Sequence, residues 1–436
     1  MAENAHLKTI IKQLLEEIEF LRNGRKSGTS STPPSQEIGR SNSKSLREPS
    51  GKLTGGQPGH KGKTLLMTDT PDKIQEYIPE FCTKCGSDIS GIKSVLIERK
   101  QEIEIPPIRP QYIEHRSYQR QCNCCGEKVN SRLPSHLKTS VQYGASVAST
   151  VVYLNVYQYL PYKRLTALLQ GFFGLQISEG TVQNVLNTMS KQAEPIYNRI
   201  HQELSQSEVV GADETGSRIA NKKAWFFTWQ NATLTYLIPS FSRGYDTIQN
   251  TFPNGLPQTV LVSDSLAAQL KTPTKQKQLC IAHLLRELKN FETAVNCSWS
   301  SGLKQLLQEA ILLKKKLKPN DYSRPNQQVR QIEKRLDHLL SADLLSSHKR
   351  VQAFMKRLKK YRHSILTFLY YDKVPPDNNA SERAIRNLKV KNKISGCFRS
   401  ENGANRFAIL RSVADTALKN NCNIFDAFKN LSVAGV

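Results

Sequence analysis

The chain has no run of apolar residues approaching the ~18–20 that a membrane-spanning helix needs. Hydrophobic residues make up 38% of it, enough for real cores but low for one compact globule, which leaves room for polar linkers. Acids are scarce as well: 37 Asp and Glu stand against 62 Lys and Arg, a formal net charge of +25 at pH 7. The N-terminus lacks the plain apolar stretch of a secretory signal, because Glu16, Glu17 and Glu19 interrupt it. These absences exclude secreted and membrane-spanning classes and make a cytoplasmic protein the expectation. Nine cysteines, an odd number, exclude a fully paired disulfide framework. No tandem repeat is visible.

What is present points to a polyanion. A large positive excess attracts phosphate chains, and nucleic acid is the commonest such partner. A basic soluble enzyme without a polyanionic partner is the alternative. The 436 residues suggest about two to four compact units. In residues 1–22, Leu7, Ile11, Leu14, Ile18 and Leu21 recur at spacings of 4, 3, 4 and 3, the 3.5-residue period of a coiled-coil seam. Two readings fit: a short zipper joining copies into a homo-oligomer, or an amphipathic helix docked on the body of the protein. Residues 23–65 turn to Ser, Gly, Pro, Lys and Arg and read as a flexible basic linker. At its end Lys61 and Lys63 sit among permissive glycines. Such a segment suits tracking a DNA backbone, though a plain solvated linker has the same composition.

Residues 66–138 hold two cysteine pairs, Cys82-x2-Cys85-Gly86 and Cys122-x2-Cys125-Gly126. Each pair suits a knuckle presenting two thiolates, with glycine relieving the turn. Four thiolates saturate one tetrahedral zinc, so Cys82, Cys85, Cys122 and Cys125 are expected to form a structural site with no open position. Cys124 could replace Cys122 only with poorer spacing. Segments 95–105 and 112–122, rich in β-branched and aromatic residues, are expected to be the two long strands of a zinc ribbon.

Residues 139–205 read as helical. Tyr162, Leu165, Leu168 and Leu169 make one apolar side, Gly171 and Gly174 mark a turn, and Ser178 is a plausible N-cap for the next helix. The pattern fits a helix-turn-helix with Gln183, Asn184 and Asn187 turned to DNA, and equally a helical hairpin without DNA contact. Residues 206–295 have an α/β pattern. Residues 296–371 form an all-helical insertion with three apolar stripes: Leu303 to Leu317, Ile332 to Leu339, and Phe354 to Phe368. The α/β part then resumes over 372–436.

Two short apolar strands are expected to end on acids, at Asp213-Glu214 and at Asp264, and Glu382 begins a helix after the insertion. Each acid alone is explained by a turn or a cap. Together, two strand-end aspartates and a helix-borne glutamate suit two magnesium or manganese ions, whose hard charge prefers oxygen ligands and which serve phosphoryl transfer. Arg383, Arg386, Lys389, Lys391 and Lys393 follow with no acid between them, a row fit to hold DNA phosphates or simply a solvated basic face.

At these residues the chain resembles the insertion-sequence-66 family of bacterial DDE transposases, over nearly its whole length to about residue 428. The likeness is carried by the glycines of 55–62, by Leu160-Pro-Tyr-Lys-Arg164, Ile177-Ser-Glu-Gly-Thr181, Ala212-Asp-Glu-Thr-Gly216 and Cys280-Ile-Ala-His283. Most specific is Asp377-Asn-Asn-Ala-Ser-Glu-Arg-Ala-Ile-Arg386 with Phe398 beyond it. The resemblance implies a multidomain α/β protein whose ribonuclease H-like core is split by the helical insertion. It implies that Asp213, Asp264 and Glu382 are the metal triad, that element ends are cut, and that the freed 3′-hydroxyl attacks target DNA. Accessory proteins of the same element are further implied partners. Cys280 and His283 match a family pattern, but two ligands are too few for zinc, and support of the active-site helix is the expected role. A catalytically silent DNA-binding descendant and a metal-dependent nuclease without strand transfer are the competing functions.

Overall fold

The computed structural model describes residues 10–12, 14–19, 21, 59, 61–62, 64–323 and 326–434. They fall into two units, one spanning 45–109 and one comprising the rest. Leu7 of the seam, Lys63 and most of the linker lie outside the described residues.

Within 45–109 the described backbone forms no helix, and its one bridge pairs Phe81 with Asp88. Neither long ribbon strand expected from the sequence forms. The 95–105 segment makes no ladder, and of 112–122 only Gln119–Gln121 (β1) pairs, antiparallel to Lys128–Asn130 (β2). Pro106, Pro107 and Pro110 remove backbone donors between the two segments. The alternating residues also face no apolar layer: Ile103 and Ile105 are 73% and 82% exposed.

The N-terminal helix α1 is described at 10–12, 14–19 and 21. Its Glu17 carboxylate meets Arg350 and lies 3.6 Å from His348 Nε2. That is the contact expected of a docked helix. The seam itself is open, since Ile11, Leu14, Ile18 and Leu21 are all exposed.

Helices α2 (Ala145–Val152), α3 (Tyr162–Phe173) and α4 (Glu179–Ser205) precede the sheet. Their boundaries follow the sequence signals. Gly174 closes α3 at φ +65°, a conformation costly for residues with a Cβ. Ser178 Oγ accepts from Thr181 N at 3.0 Å and caps α4.

Five strands follow: β3 (Val209–Ile219), β4 (Lys222–Gln230), β5 (Thr235–Ser240), β6 (Leu256–Ser263) and β7 (Thr274–Leu279). Their spatial order is β5-β4-β3-β6-β7. The β5-β4-β3 half is antiparallel and β3-β6-β7 is parallel. Tight turns can join antiparallel strands, whereas each parallel step needs a crossover, supplied here by α5 (Tyr245–Thr251) and α6 (Ala267–Lys271). Both sheet faces are covered, and β6 shows it by its period of two. Leu261 joins the core built from α2–α4 and the C-terminal helices, while Val260 and Val262 join the core of the helical insertion.

The second core contains α7 (Ile281–Val295), α8 (Ser298–Lys316), α9 (Gln327–Ser341) and α10 (Lys349–Lys360). The first two stripes lie along α8 and α9 as expected. The third does not stay on one helix: α10 ends at Lys360, and Ile365 and Phe368 are buried from the 3-10 turns beyond it. The chain returns to the sheet as α11 (Asn379–Ser395), α12 (Glu401–Lys419) and α13 (Ile424–Ala434). Leu237 N donates to Ser412 Oγ at 3.0 Å, which ties α12 to β5. Phe398 pairs in parallel with Ile219 at the end of β3, and its ring lies tilted between those of Phe226 and Phe407.

Candidate metal centre

The sequence places Asp213 at a strand end, but β3 runs on to Ile219 because β4 pairs with it over that whole length. What stops beside Asp213 is the parallel pairing with β6, whose last registered pair is Gly211 with Val262. Asp213 and Asp264 each lie two residues beyond that pair, Asp213 still on β3 and Asp264 just past the end of β6. Asp213 Oδ1 accepts from Glu214 N at 2.8 Å, and Asp264 Oδ1 from Leu266 N at 3.2 Å.

Glu382 is brought to this edge by α11, whose start is fastened to β3, to β4 and to Cys280 just beyond β7. Asn378 Nδ2 donates to Ala212 O at 2.6 Å, and Asn378 N to Cys280 Sγ at 3.2 Å. Ser381 Oγ donates to Asn378 Oδ1 at 2.6 Å and receives Gln230 Nε2 at 3.2 Å. Gly211 permits this approach: a Cβ there would lie 2.5 Å from Gln230 Nε2, 2.7 Å from Ser381 Oγ and 2.8 Å from Asn378 Oδ1.

Carboxylates crowd the edge. Burial pushes Asp213 up to about 8, and the Asp264 and Glu214 charges add to it. Glu214 is raised by burial and by Asp264, against Arg243 at 2.6 Å and Gln269 Nε2 at 2.9 Å. Glu287 of α7 is raised mainly by burial, with Arg357 at 2.6 Å opposing. Asp213 and Asp264 have no ion pair among the described residues. Buried like charges made of hard oxygens suit divalent cations of the magnesium type, so the donor set fits such ions.

Sequence reasoning missed Glu287 and Arg286 as neighbours of the triad, whereas it singles out Glu214 and His283 beside it. His283, Arg286 and Glu287 follow one another at i, i+3 and i+4 on α7, a shared helix face that could have revealed them. Cys280, His283 and Glu382 bring ligand-type atoms within 4.8 Å of one another. Their chemistry does not suit a soft metal. Burial pushes the Cys280 thiol up to about 11, and its sulfur already accepts from Asn378 N. His283 Nε2 lies 3.1 Å from Arg286 Nη2, a group that can only donate, so the imidazole proton is on Nδ1. Burial also holds His283 down at about 4.

The cysteine pairs form two matching turns. Cys82 N donates to Ser87 O and Gly86 N to Cys82 O, each at 2.8 Å. Cys122 N donates to Glu127 O at 2.8 Å and Gly126 N to Cys122 O at 2.9 Å. Gly86 and Gly126 share a φ of +76°. The Ser87 hydroxyl and backbone bring Cys85 down to about 7, and the N–H groups of Cys125 and Cys124 lower Cys122. Donors aimed at sulfur favour thiolate, the form that binds zinc. The first pair belongs to the 45–109 unit and the second to the other.

Of the candidate DNA contacts, Arg383, Arg386, Lys389 and Lys393 are exposed on α11 and make no ion pair among the described residues. Lys391 is half-buried, and burial, with Arg406 adding, brings its amine down to about 8. Gln183 and Asn184 are exposed on α4. Asn187 is half-buried and accepts from Arg406, whose Nη2 also reaches Tyr162 OH at 2.8 Å. Lys61 is exposed.

The family model described as "Transposase IS66 family" matches residues 140–406, rather more than half of the chain and all three acids. The chain is a member of the IS66 family. No curated protein matches it. No helix among the described residues is long and apolar enough to cross a membrane.

Proposed function

We propose that this transposase binds the ends of its insertion sequence, cuts a strand there and joins the freed 3′-hydroxyl to target DNA, using a ribonuclease H-like core. The observation that carries the reading is that Asp213 and Asp264 each follow by two residues the last parallel pair of β3 and β6, while Asn378 ties the start of the Glu382 helix to Ala212 beside Asp213. The β5-β4-β3-β6-β7 order, antiparallel on one side and parallel on the other, supports the choice of core.

Asp213, Asp264 and Glu382 would hold two magnesium or manganese ions. Such ions supply Lewis acidity at the attacking and leaving oxygens of an in-line displacement. The chain's own share is positioning. One oxygen of each aspartate is held by a backbone N–H, which sets the carboxylate plane and leaves the other oxygen for a ligand. Arg243 and Gln269 restrain Glu214 beside them. Arg383, Arg386, Lys389 and Lys393 line the helix leading away from Glu382, where they would grip strand phosphates, with Lys391 deeper. Gln183 and Asn184 at the start of α4, Asn187 behind them, and Lys61 and Lys63 of the linker are further DNA contacts in this reading.

Cys82 and Cys85 in one turn, and Cys122 and Cys125 in the other, would serve as thiolate ligands of structural zinc. The open α1 seam would join copies, with accessory proteins of the element as further partners, and the reaction would take place on cytoplasmic DNA. The test is cleavage of a labelled duplex carrying the element's end. Asp213→Ala is expected to abolish cleavage and leave end binding largely intact. Undiminished cleavage by that variant would remove Asp213 from the centre, and end binding without cleavage by wild type, with accessory proteins supplied, would favour a silent DNA-binding protein.

A further inference from the structure

Arg286 is the one cation on the triad among the described residues. Arg243 serves Glu214 and Arg357 serves Glu287, whereas Arg286 Nη2 lies 3.0 Å from Glu382 Oε1. The same nitrogen donates to His283 Nε2 at 3.1 Å, and Nε reaches Ala282 O at 3.3 Å. Nη1 makes no hydrogen bond among the described residues, and the side chain is 18% exposed.

We propose that Arg286 is an exchangeable counter-ion: it neutralises Glu382 while the centre is empty of metal, and turns to a non-bridging oxygen of the scissile phosphodiester once Glu382 engages the ions. This rests on Glu382 being a metal ligand. When divalent cations take over the Glu382 charge, Arg286 loses its partner and is repelled by what replaces it. A guanidinium this enclosed then needs another anion, and the substrate phosphodiester is the anion that arrives at the site. Its planar fork suits phosphate oxygens, and Nη1 is already open to receive one.

His283 defines the starting position. Its Nε2 accepts from Arg286, so Nδ1 carries the proton, has no hydrogen-bond partner among the described residues and lies 3.8 Å from Glu382 Oε1. The imidazole is thereby an N–H donor beside the carboxylate and a rest for the guanidinium, in place of a metal ligand. Cys280, whose sulfur already accepts from Asn378 N, completes the wall.

The test uses the full chain and two readouts: Mn2+ binding without DNA, followed by the electron paramagnetic resonance signal of the free aqua ion, and single-turnover cleavage of the labelled end duplex at saturating Mn2+. Removing a competing charge should tighten Mn2+ binding, so Arg286→Gln is expected to lower the dissociation constant by about 3–10-fold. The same variant is expected to cut on the order of 100-fold more slowly at saturating metal, through loss of a phosphate donor. Arg286→Lys, which keeps the charge, should bind Mn2+ like wild type and recover part of the cleavage. A merely structural arginine gives a different pattern, with Mn2+ binding weakened in Arg286→Gln, and that result overturns the proposal. So does unchanged cleavage at saturating Mn2+ in both variants. Glu382→Gln separates the two levels: if it binds Mn2+ as tightly as wild type, the metal-ligand reading fails and the proposal with it. If it loses binding while Arg286→Gln is like wild type in both readouts, only the proposal fails.

Discussion

At Gly211 the side chains of Gln230 on β4 and of Asn378 and Ser381 at the start of α11 close on the backbone of β3, and the missing side chain is a requirement. Gln230, Ser381 and Asn378 are locked to one another and to Ala212 O by hydrogen bonds, so none can swing aside alone. Gly211→Ala is expected to lower stability by about 1–3 kcal/mol, measured by urea unfolding, and to slow cleavage by displacing Glu382. Denaturation indistinguishable from wild type would mean that the start of α11 is looser than described. At this scale the acids were legible in sequence because Asp213, Asp264 and Glu382 interrupt apolar or capping patterns. The residues that tune them were not. Arg286 and Glu287 matter because α7 lies along the acidic edge, a tertiary fact to which their shared face with His283 is the one local clue.

Single elements show the same limit. The end of β3 was misread because apolar residues stop near Asp213, whereas the strand continues on hydrogen bonds to β4. The ribbon strands were expected from β-branched residues, but propensity without a layer to pack against makes no ladder. Cap signals were dependable, as Ser178 and Gly174 illustrate, because they act within a few residues of themselves. The cysteine turns carry a separate prediction. Cys85→Ser is expected to lose about one equivalent of bound zinc, read by elemental analysis, and to open the 66–138 segment to protease, because a small metal-dependent fold draws much of its stability from the ion. Unchanged zinc content would contradict the ligand role of Cys85.

Helix α11 carries another. Lys391 is held well below an ordinary lysine, at about 8, by burial and by Arg406. Between about 8 and the ordinary value of ~10.4 the unfolded chain binds more protons, so this residue's contribution makes stability rise with pH there. The penalty of keeping it charged is complete below that window. Lys391→Gln should therefore raise the melting temperature at pH 7 and weaken end binding. A lowered melting temperature would contradict the burial argument.

For the molecule as a whole, one sheet serves two cores. The alternation of Leu261 with Val260 and Val262 shows why a helical insertion can be accommodated: it covers a face that would otherwise lie open. The sequence exposed the insertion through the stripes of α8 and α9, but not that it continues the core of the sheet, because period alone does not say what a stripe faces. The positive excess and the exposed row on α11 are consistent with a protein that acts on DNA, and membership of the IS66 family states that class directly. The proposed metal triad joins two aspartates, each two residues beyond the last parallel pair, to a glutamate delivered across the insertion. The most direct measurement is magnesium-dependent nicking of a labelled duplex bearing the element's end, comparing wild type with Glu382→Gln in the presence of any accessory proteins. Discrete nicking at the terminus by wild type, reduced at least about 1,000-fold in the variant, is the expected result. Equal nicking by both proteins would contradict it.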